Sequence, residues 1–181
     1  MIVVFLANGF EEIEALATVD ILRRANLSVR TVGVGGRMIT GSHGIAVQAD
    51  ADDTEALPSL ERLQAVVLPG GLPGTTNLAA SSVVTDYVTK AAENGALVCA
   101  ICAAPSVPGQ LGLLRGKRAT CYPGYETTLL GATTNGESVA VDEGVITAKG
   151  AGVTVDFALS IVSRLVSPEK AREIGDAMQC R

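Results

Sequence analysis

The sequence predicts an α/β protein with a mostly parallel sheet covered by helices on both faces. Short apolar runs rich in Val, Ile and Leu end in glycine-bearing turns: Ile2 to Leu6 runs into Ala7-Asn8-Gly9, and Ala65 to Leu68 into Pro69-Gly70-Gly71. Strands buried on both faces read this way. Segments of helical periodicity alternate with them, the order that builds parallel crossovers. Of 181 residues, 48% are hydrophobic but only 3% aromatic and none is Trp, a composition suited to closely packed helix and sheet layers. No linker, repeat or low-complexity segment divides the chain, so one domain over 1–181 is expected.

Each element follows from local pattern. Ile2 to Leu6 is the first strand. From Glu11 to Ala25 the apolar positions Ile13, Leu16, Ala17, Val19, Ile21 and Leu22 mostly keep helical spacing. Acids open that helix and Arg23-Arg24 close it, matching its dipole. Ser28 to Val34 reads as a second strand. Gly35-Gly36 then turns the chain into a short ribbon, Met38 to Thr40 and Ile45 to Gln48, around Gly41-Ser42-His43-Gly44, an insertion suited to a surface or dimer contact. Ala65 to Leu68 is a buried strand, followed by a Gly/Pro-rich loop to Asn77 and a helix over Ser82 to Asn94. Ala96 to Ile101 is the next strand, with helical chain from Ala103 onward. Arg118 to Cys121 is a candidate strand, and Val139 to Val141 pairs with Val145 to Thr147 across Asp142-Glu143-Gly144. Helices over Val153 to Leu165 and Pro168 to Met178 close the chain.

Fourteen basic against nineteen acidic residues leave a net charge of −5, and no basic cluster exceeds Arg23-Arg24. That excludes the electrostatic footprint of a nucleic-acid binder and leaves small molecules or proteins as partners. The opening apolar run lacks a basic lead-in and a cleavage-type segment, unlike a signal peptide or membrane span, so a cytoplasmic protein without membrane association is expected. In a reducing compartment Cys99, Cys102, Cys121 and Cys180 are free thiols.

Parallel sheets bind ligands at the carboxyl ends of their strands, which directs attention to Asn8-Gly9, Pro69-Gly70-Gly71 and Cys102. In Ala100-Ile101-Cys102-Ala103-Ala104, small residues stand two before and two after a thiol, between a strand and a helix: the spacing of a nucleophile elbow. At a helix N-terminus the dipole would lower the thiol pKa below its ordinary value of about 8.5; the other reading is an inert cysteine at a strand end. Cys99 falls on the opposite face of an extended strand and is assigned to the core. A redox or zinc site is disfavoured, because no second Cys-x-x-Cys or His cluster completes one.

Pro69-Gly70-Gly71 offers unobstructed amides for an oxyanion hole, although ordinary turns use the same residues. Helix-dipole charge accounts for two of the acids in Glu11-Glu12-Ile13-Glu14 and leaves one free to face inward. If that one is Glu14, a carboxyl in a dry cleft would have a raised pKa, hydrogen-bond the sulfur and shuttle protons. His43, in a Gly/Ser loop, reads as a surface or interface residue more than as a partner of the cysteine.

Taken together, LANGFEEIEALATVDILRRA, VVLPGG, AICAAP, the CYP at 121–123 and GAGVTVDFAL resemble the ThiJ/PfpI superfamily. Within it they resemble the branch that joins bacterial ThiJ-like proteins to the parkinsonism-associated protein deglycase. The resemblance implies a flavodoxin-like three-layer sandwich and a homodimer. It makes Cys102 the reactive elbow cysteine and Glu14 its protonated partner, with oxyanion-hole amides from Gly71 and Ala103 beside Gly70. Arg24 and His43 match basic residues that relatives bring to the dimer interface near the active site. Tyr122 stands where relatives often carry His, and Ala103 replaces the His that follows the cysteine in the protease branch, so a Cys–His–acid triad is unsupported. Tyr122 either places a hydroxyl in the pocket or fills space. The implied activity is glutathione-independent, cofactor-free glyoxalase or deglycase chemistry on reactive aldehydes such as methylglyoxal. The competing expectation is an oxidative-stress sensor or redox-regulated chaperone whose Cys102 becomes sulfinate.

Overall fold

A computed structural model describes residues 1–180. Seven strands form one sheet: β1 (Ile2–Leu6), β2 (Val29–Gly33), β5 (Ala51–Asp52), β6 (Ala65–Leu68), β7 (Leu97–Ile101), β8 (Val139–Asp142) and β9 (Val145–Ala148). Their spatial order is β5-β2-β1-β6-β7-β9-β8, and β3 (Met38–Thr40) pairs with β4 (Ala46–Gln48) as a separate ribbon. Every pairing in the large sheet is parallel except the β8–β9 hairpin. The helices are α1 (Glu12–Arg24), α2 (Gly74–Ala80), α3 (Ser82–Glu93), α4 (Ser106–Gln110), α5 (Thr154–Leu165) and α6 (Pro168–Ala177).

The period-two alternation of the strands divides the core in two. Val4, Leu6, Val67, Cys99, Ile101 and Ile146 pack with α1, α5 and α6. Phe5, Val66, Leu68, Val98 and Ala100 face α2 and α3 through Leu78, Val84 and Val88. This is the expected sandwich with helices on both faces.

Three details depart from the sequence reading. Arg118 to Cys121 is not a strand, because only an isolated bridge from Arg118 to Thr133 forms there. The chain after Cys102 turns through Pro105 before the five-residue α4 begins at Ser106, so no long helix starts at the cysteine. On α1 the inward stripe holds Glu12, Glu14, Ala15, Thr18, Val19, Ile21 and Leu22, while Ile13 and Leu16 are exposed. The apolar spacing therefore located the buried face at Val19, Ile21 and Leu22 but not in the first turns, where Glu12 and Glu14 rather than Ile13 and Leu16 face inward to specific partners. Among the described residues, no helix is long and apolar enough to cross a membrane.

Candidate active site

Cys102 directly follows the buried strand β7, which lies between β6 and β9. Its φ of +64° is in the left-handed region, which disfavours a side-chain-bearing residue and persists only when the surroundings over-determine it. Here both backbone groups are fixed: Cys102 N–H donates to the Ala148 carbonyl at 2.8 Å, and its own carbonyl accepts the Tyr122 N–H at 2.8 Å. Small neighbours are needed for the same reason, and Ala100, Ala103 and Ala104 are all buried.

The left-handed turn also corrects the assignment of the two sulfurs to opposite faces. Strand alternation ends at Ile101, and Cys102 packs against the same core as Cys99, on the side of α1. Cys99 is a fully buried free thiol whose pKa burial pushes up.

Glu14 comes to this sulfur from the first turn of α1. Glu11 caps the helix by accepting the Glu14 N–H at 2.7 Å, which leaves the Glu14 side chain free to point inward, 1% exposed. One oxygen, Oε2, accepts the Gly70 N–H at 2.8 Å. The other, Oε1, is buried without a hydrogen-bond partner, and the Cys102 thiol lies close enough to the carboxyl for each to shift the other's pKa. Burial pushes Glu14 up to about 7, against the lowering effects of the Gly70 amide and Cys102.

Depression of the thiol pKa by a helix dipole is not found. Burial first, and then the charge and hydrogen bond of Glu14, push Cys102 up to about 12. The amides of Ala103 and Gly71 act in the opposite direction by donating to the sulfur. Thiol and carboxyl titrate as one unit whose first proton is lost near neutrality.

The amides therefore divide their work. Gly70 serves the carboxyl and is not free for a substrate oxygen, whereas Gly71 and Ala103 face the nucleophile. Gly70 has no room for a side chain, since a Cβ there would stand 2.6 Å from Cys102 Cβ and 2.7 Å from Glu14 Oε2. Gly71, at φ +90°, lies against the backbone of Gly9 to Glu11, and Glu11 N–H bonds the Gly70 carbonyl at 2.9 Å.

Tyr122 contributes its main chain to the elbow, while the residue is 52% exposed and its ring lies near Gly150. Arg24 ion-pairs with Asp20 at 2.7 Å at the far end of α1 and does not approach Cys102 within one chain. His43 is exposed, and its Nδ1 lies 2.8 Å from Glu12 Oε2.

Glu12 is the residue that sequence reasoning missed. Only 5% exposed, it accepts the His43 N–H at 2.7 Å, the Ile45 N–H at 3.4 Å and the Ser42 hydroxyl at 3.3 Å. Burial raises its pKa, but the His43 side chain and main-chain donors outweigh that and hold it at about 2. His43 is raised in turn, first by its hydrogen bond to Glu12. Glu11, Glu12 and His43 bring ligand-type atoms within 4.8 Å of one another, the one such group among the described residues. Glu11 is already engaged in capping and Glu12 in holding the ribbon.

The DJ-1/PfpI family profile matches residues 1–164. A glutathione-independent glyoxalase of Caenorhabditis elegans is 31% identical over 172 residues, covering 91% of this chain and 87% of that protein. Protein DJ-1 homolog B of Arabidopsis thaliana is 36% identical over 97% of this chain, which spans only 40% of that longer relative. The crystal structure of a cysteine-to-alanine mutant of a DJ-1 superfamily protein from Salmonella typhimurium superposes with a TM-score of 0.92 at 35% identity, covering 99% of this chain and 98% of the other. An elbow cysteine on a seven-stranded α/β sheet, matched along nearly the whole length by these proteins, makes the chain a member of the DJ-1/PfpI family.

Proposed function

We propose that the chain is a cysteine-dependent, cofactor-free glyoxalase of the glutathione-independent type, with deglycase action on early glycation adducts as the same chemistry on a bulkier group. The observation that carries this reading is the contact between the Cys102 thiol and a carboxyl whose pKa stands at about 7.

In the mono-anionic pair, ionised Glu14 takes the thiol proton as Cys102 Sγ attacks the aldehyde carbon of methylglyoxal, giving a hemithioacetal. The Gly71 and Ala103 amides stabilise negative charge at the sulfur before attack and at the adjoining oxygen after it. Glu14 then moves a proton from the former aldehyde carbon to its neighbour, which converts the adduct into a thioester of lactate. Water cleaves that thioester, releasing lactate and restoring the thiol. The sum is methylglyoxal plus water giving lactic acid, with no outside oxidant or reductant.

The deciding experiment follows lactate formation from methylglyoxal by wild type, Cys102→Ser and Glu14→Gln. Turnover by wild type alone is expected, and its absence from wild type overturns the reading. A second reading, oxidation of Cys102 to sulfinate in a stress sensor, is favoured by the two amides and the unpaired Glu14 Oε1 gathered around one sulfur. Selective oxidation of Cys102 by peroxide in a protein without turnover would establish it. We also propose a homodimer, supported by the exposed apolar residues Ile13 and Leu16 on α1 and Met38 and Ile45 in the ribbon segment, whose Ile45 N–H reaches Glu12 on α1. A monomer by light scattering at micromolar concentration would refute it.

A further inference from the structure

Three hydrogen bonds close a circuit through the elbow, and a single side chain completes it. Cys102 N–H donates to the Ala148 carbonyl and the Cys102 carbonyl accepts the Tyr122 N–H, each at 2.8 Å. Two residues before Tyr122, the Thr120 N–H donates to the Thr147 hydroxyl oxygen, also at 2.8 Å. Thr147 adjoins Ala148 on β9, so the path returns to its start. Thr147 is 1% exposed, on a strand otherwise made of Val145, Ile146 and Ala148, where an apolar side chain is the ordinary choice. Among the described residues, no main-chain hydrogen bond joins residues 119–122 to β9. The Thr147 hydroxyl stands in for the strand pairing that the sequence suggests for Arg118 to Cys121 and the structure lacks.

We propose that Thr147 is a positioning residue for the nucleophile, acting through Thr120 and Tyr122 on the backbone of Cys102. The other members of the circuit are main-chain groups, which substitutions short of proline keep, so the Thr147 hydroxyl is the member that can be removed. Thr120 is buried, and without that oxygen its N–H is stranded away from water. The segment from Thr120 to Tyr122 must then shift to find another acceptor. A shift there carries the Tyr122 N–H with it and frees one of the two anchors that hold Cys102 at φ +64°. The sulfur leaves its place beside the Gly71 and Ala103 amides and the Glu14 carboxyl. Thr147 itself touches neither sulfur nor substrate. This role rests on the reading of Cys102 as the nucleophile of a glyoxalase, and it is measured on the thiol without turnover.

Peptide mass mapping follows alkylation of Cys102 by iodoacetamide in wild type, Thr147→Val and Thr147→Ser. Exposed Cys180 is the internal reference, and fully buried Cys99 reports opening of the core. Valine keeps the branched shape and loses the hydroxyl, whereas serine keeps the hydroxyl and loses a methyl, so packing and hydrogen bonding predict opposite orders. Thr147→Val should slow Cys102 by about tenfold or more, the scale of small displacements at a reacting centre. Its rate should also no longer rise through about pH 7, while Cys180 is unaffected and Cys99 stays unlabelled. Thr147→Ser should keep the wild-type rate and pH profile. An unchanged or faster rate in Thr147→Val, equal slowing in Thr147→Ser, labelling of Cys99 along with a slowed Cys102, or a Cys102 unreactive in wild type would overturn the proposal. If the expected order holds while methylglyoxal yields no lactate, the positioning role stands and the glyoxalase reading alone falls.

Discussion

Glu12 and Glu14 are both buried on the first turn of α1, yet they titrate in opposite directions: Glu12 is held at about 2 and Glu14 rises to about 7. The difference lies in donors. Glu12 receives two main-chain N–H groups, a hydroxyl and an imidazole, whereas Glu14 has the Gly70 amide and a thiol. One carboxylate is structural and permanently charged. The other changes charge near neutral pH.

Glu14 should therefore limit the stability of the fold at alkaline pH. Its folded pKa of about 7 stands above the ordinary 4.5, so between these values the folded state binds the extra proton and stability declines as pH rises. The full difference amounts to at most about 3 kcal/mol. Glu14→Gln should be more stable than wild type to urea at pH 8, with the gap closing by pH 5. A gap that widens on acidification would contradict the assignment.

Reactivity should follow the same ionisation with the opposite sign. Attack needs ionised Glu14, so lactate formation should rise through about pH 7 and then level off. Glu14→Gln should lose about a hundredfold or more in kcat, the usual scale for a general base, and the limb near neutrality should disappear from its pH profile.

Gly70→Ala should damage the site more than the fold. The new methyl would press on Cys102 Cβ, on Glu14 Oε2 and, at 2.9 Å, on the Ile101 carbonyl. Thiol alkylation and lactate formation should both fall at least about tenfold, as displacements on the ångström scale do at a reacting centre, while circular dichroism stays native. Wild-type rates in this variant would show that the contact is slack.

The left-handed backbone at Cys102 predicts an unusual order of stabilities. Cys102→Gly should be more stable than Cys102→Ala by about 1 kcal/mol, because only glycine adopts φ +64° without strain. Chemical denaturation of the two variants measures the difference, and equality would mean the turn is relaxed.

Glu12→Ala should release the ribbon formed by β3 and β4. Losing the acceptor strands the donors of Ser42, His43 and Ile45, at about 1–3 kcal/mol. Hydrogen exchange should accelerate over residues 38–48. His43→Ala, which keeps the main-chain donors, should disturb the same segment less.

How much of this was legible in the chain depended on the kind of pattern involved. The strands at Ile2 to Leu6 and Ala65 to Leu68 were readable because burial on both faces demands unbroken apolar runs. Cys102 was readable because a strained turn demands small neighbours at fixed spacing. The inward turn of Glu12 was not: it points toward donors from the ribbon, and periodicity alone favours Ile13 and Leu16 for the buried side of that turn, which the structure leaves exposed. The thiol's raised pKa was equally hidden, since it depends first on burial and then on Glu14, far off in sequence, while α4 starts too late to lend a dipole.

The tethering of Cys102 to Ala148 on one side and Tyr122 on the other makes the thiol a reporter of β9. Both anchors come from later in the chain, and Ala148 belongs to β9, which pairs with β7. A chain in which β9 is undocked loses the Ala148 acceptor that helps to fix the left-handed turn at residue 102. Labelling at Cys102 should therefore distinguish a sheet with β9 in place from one without it.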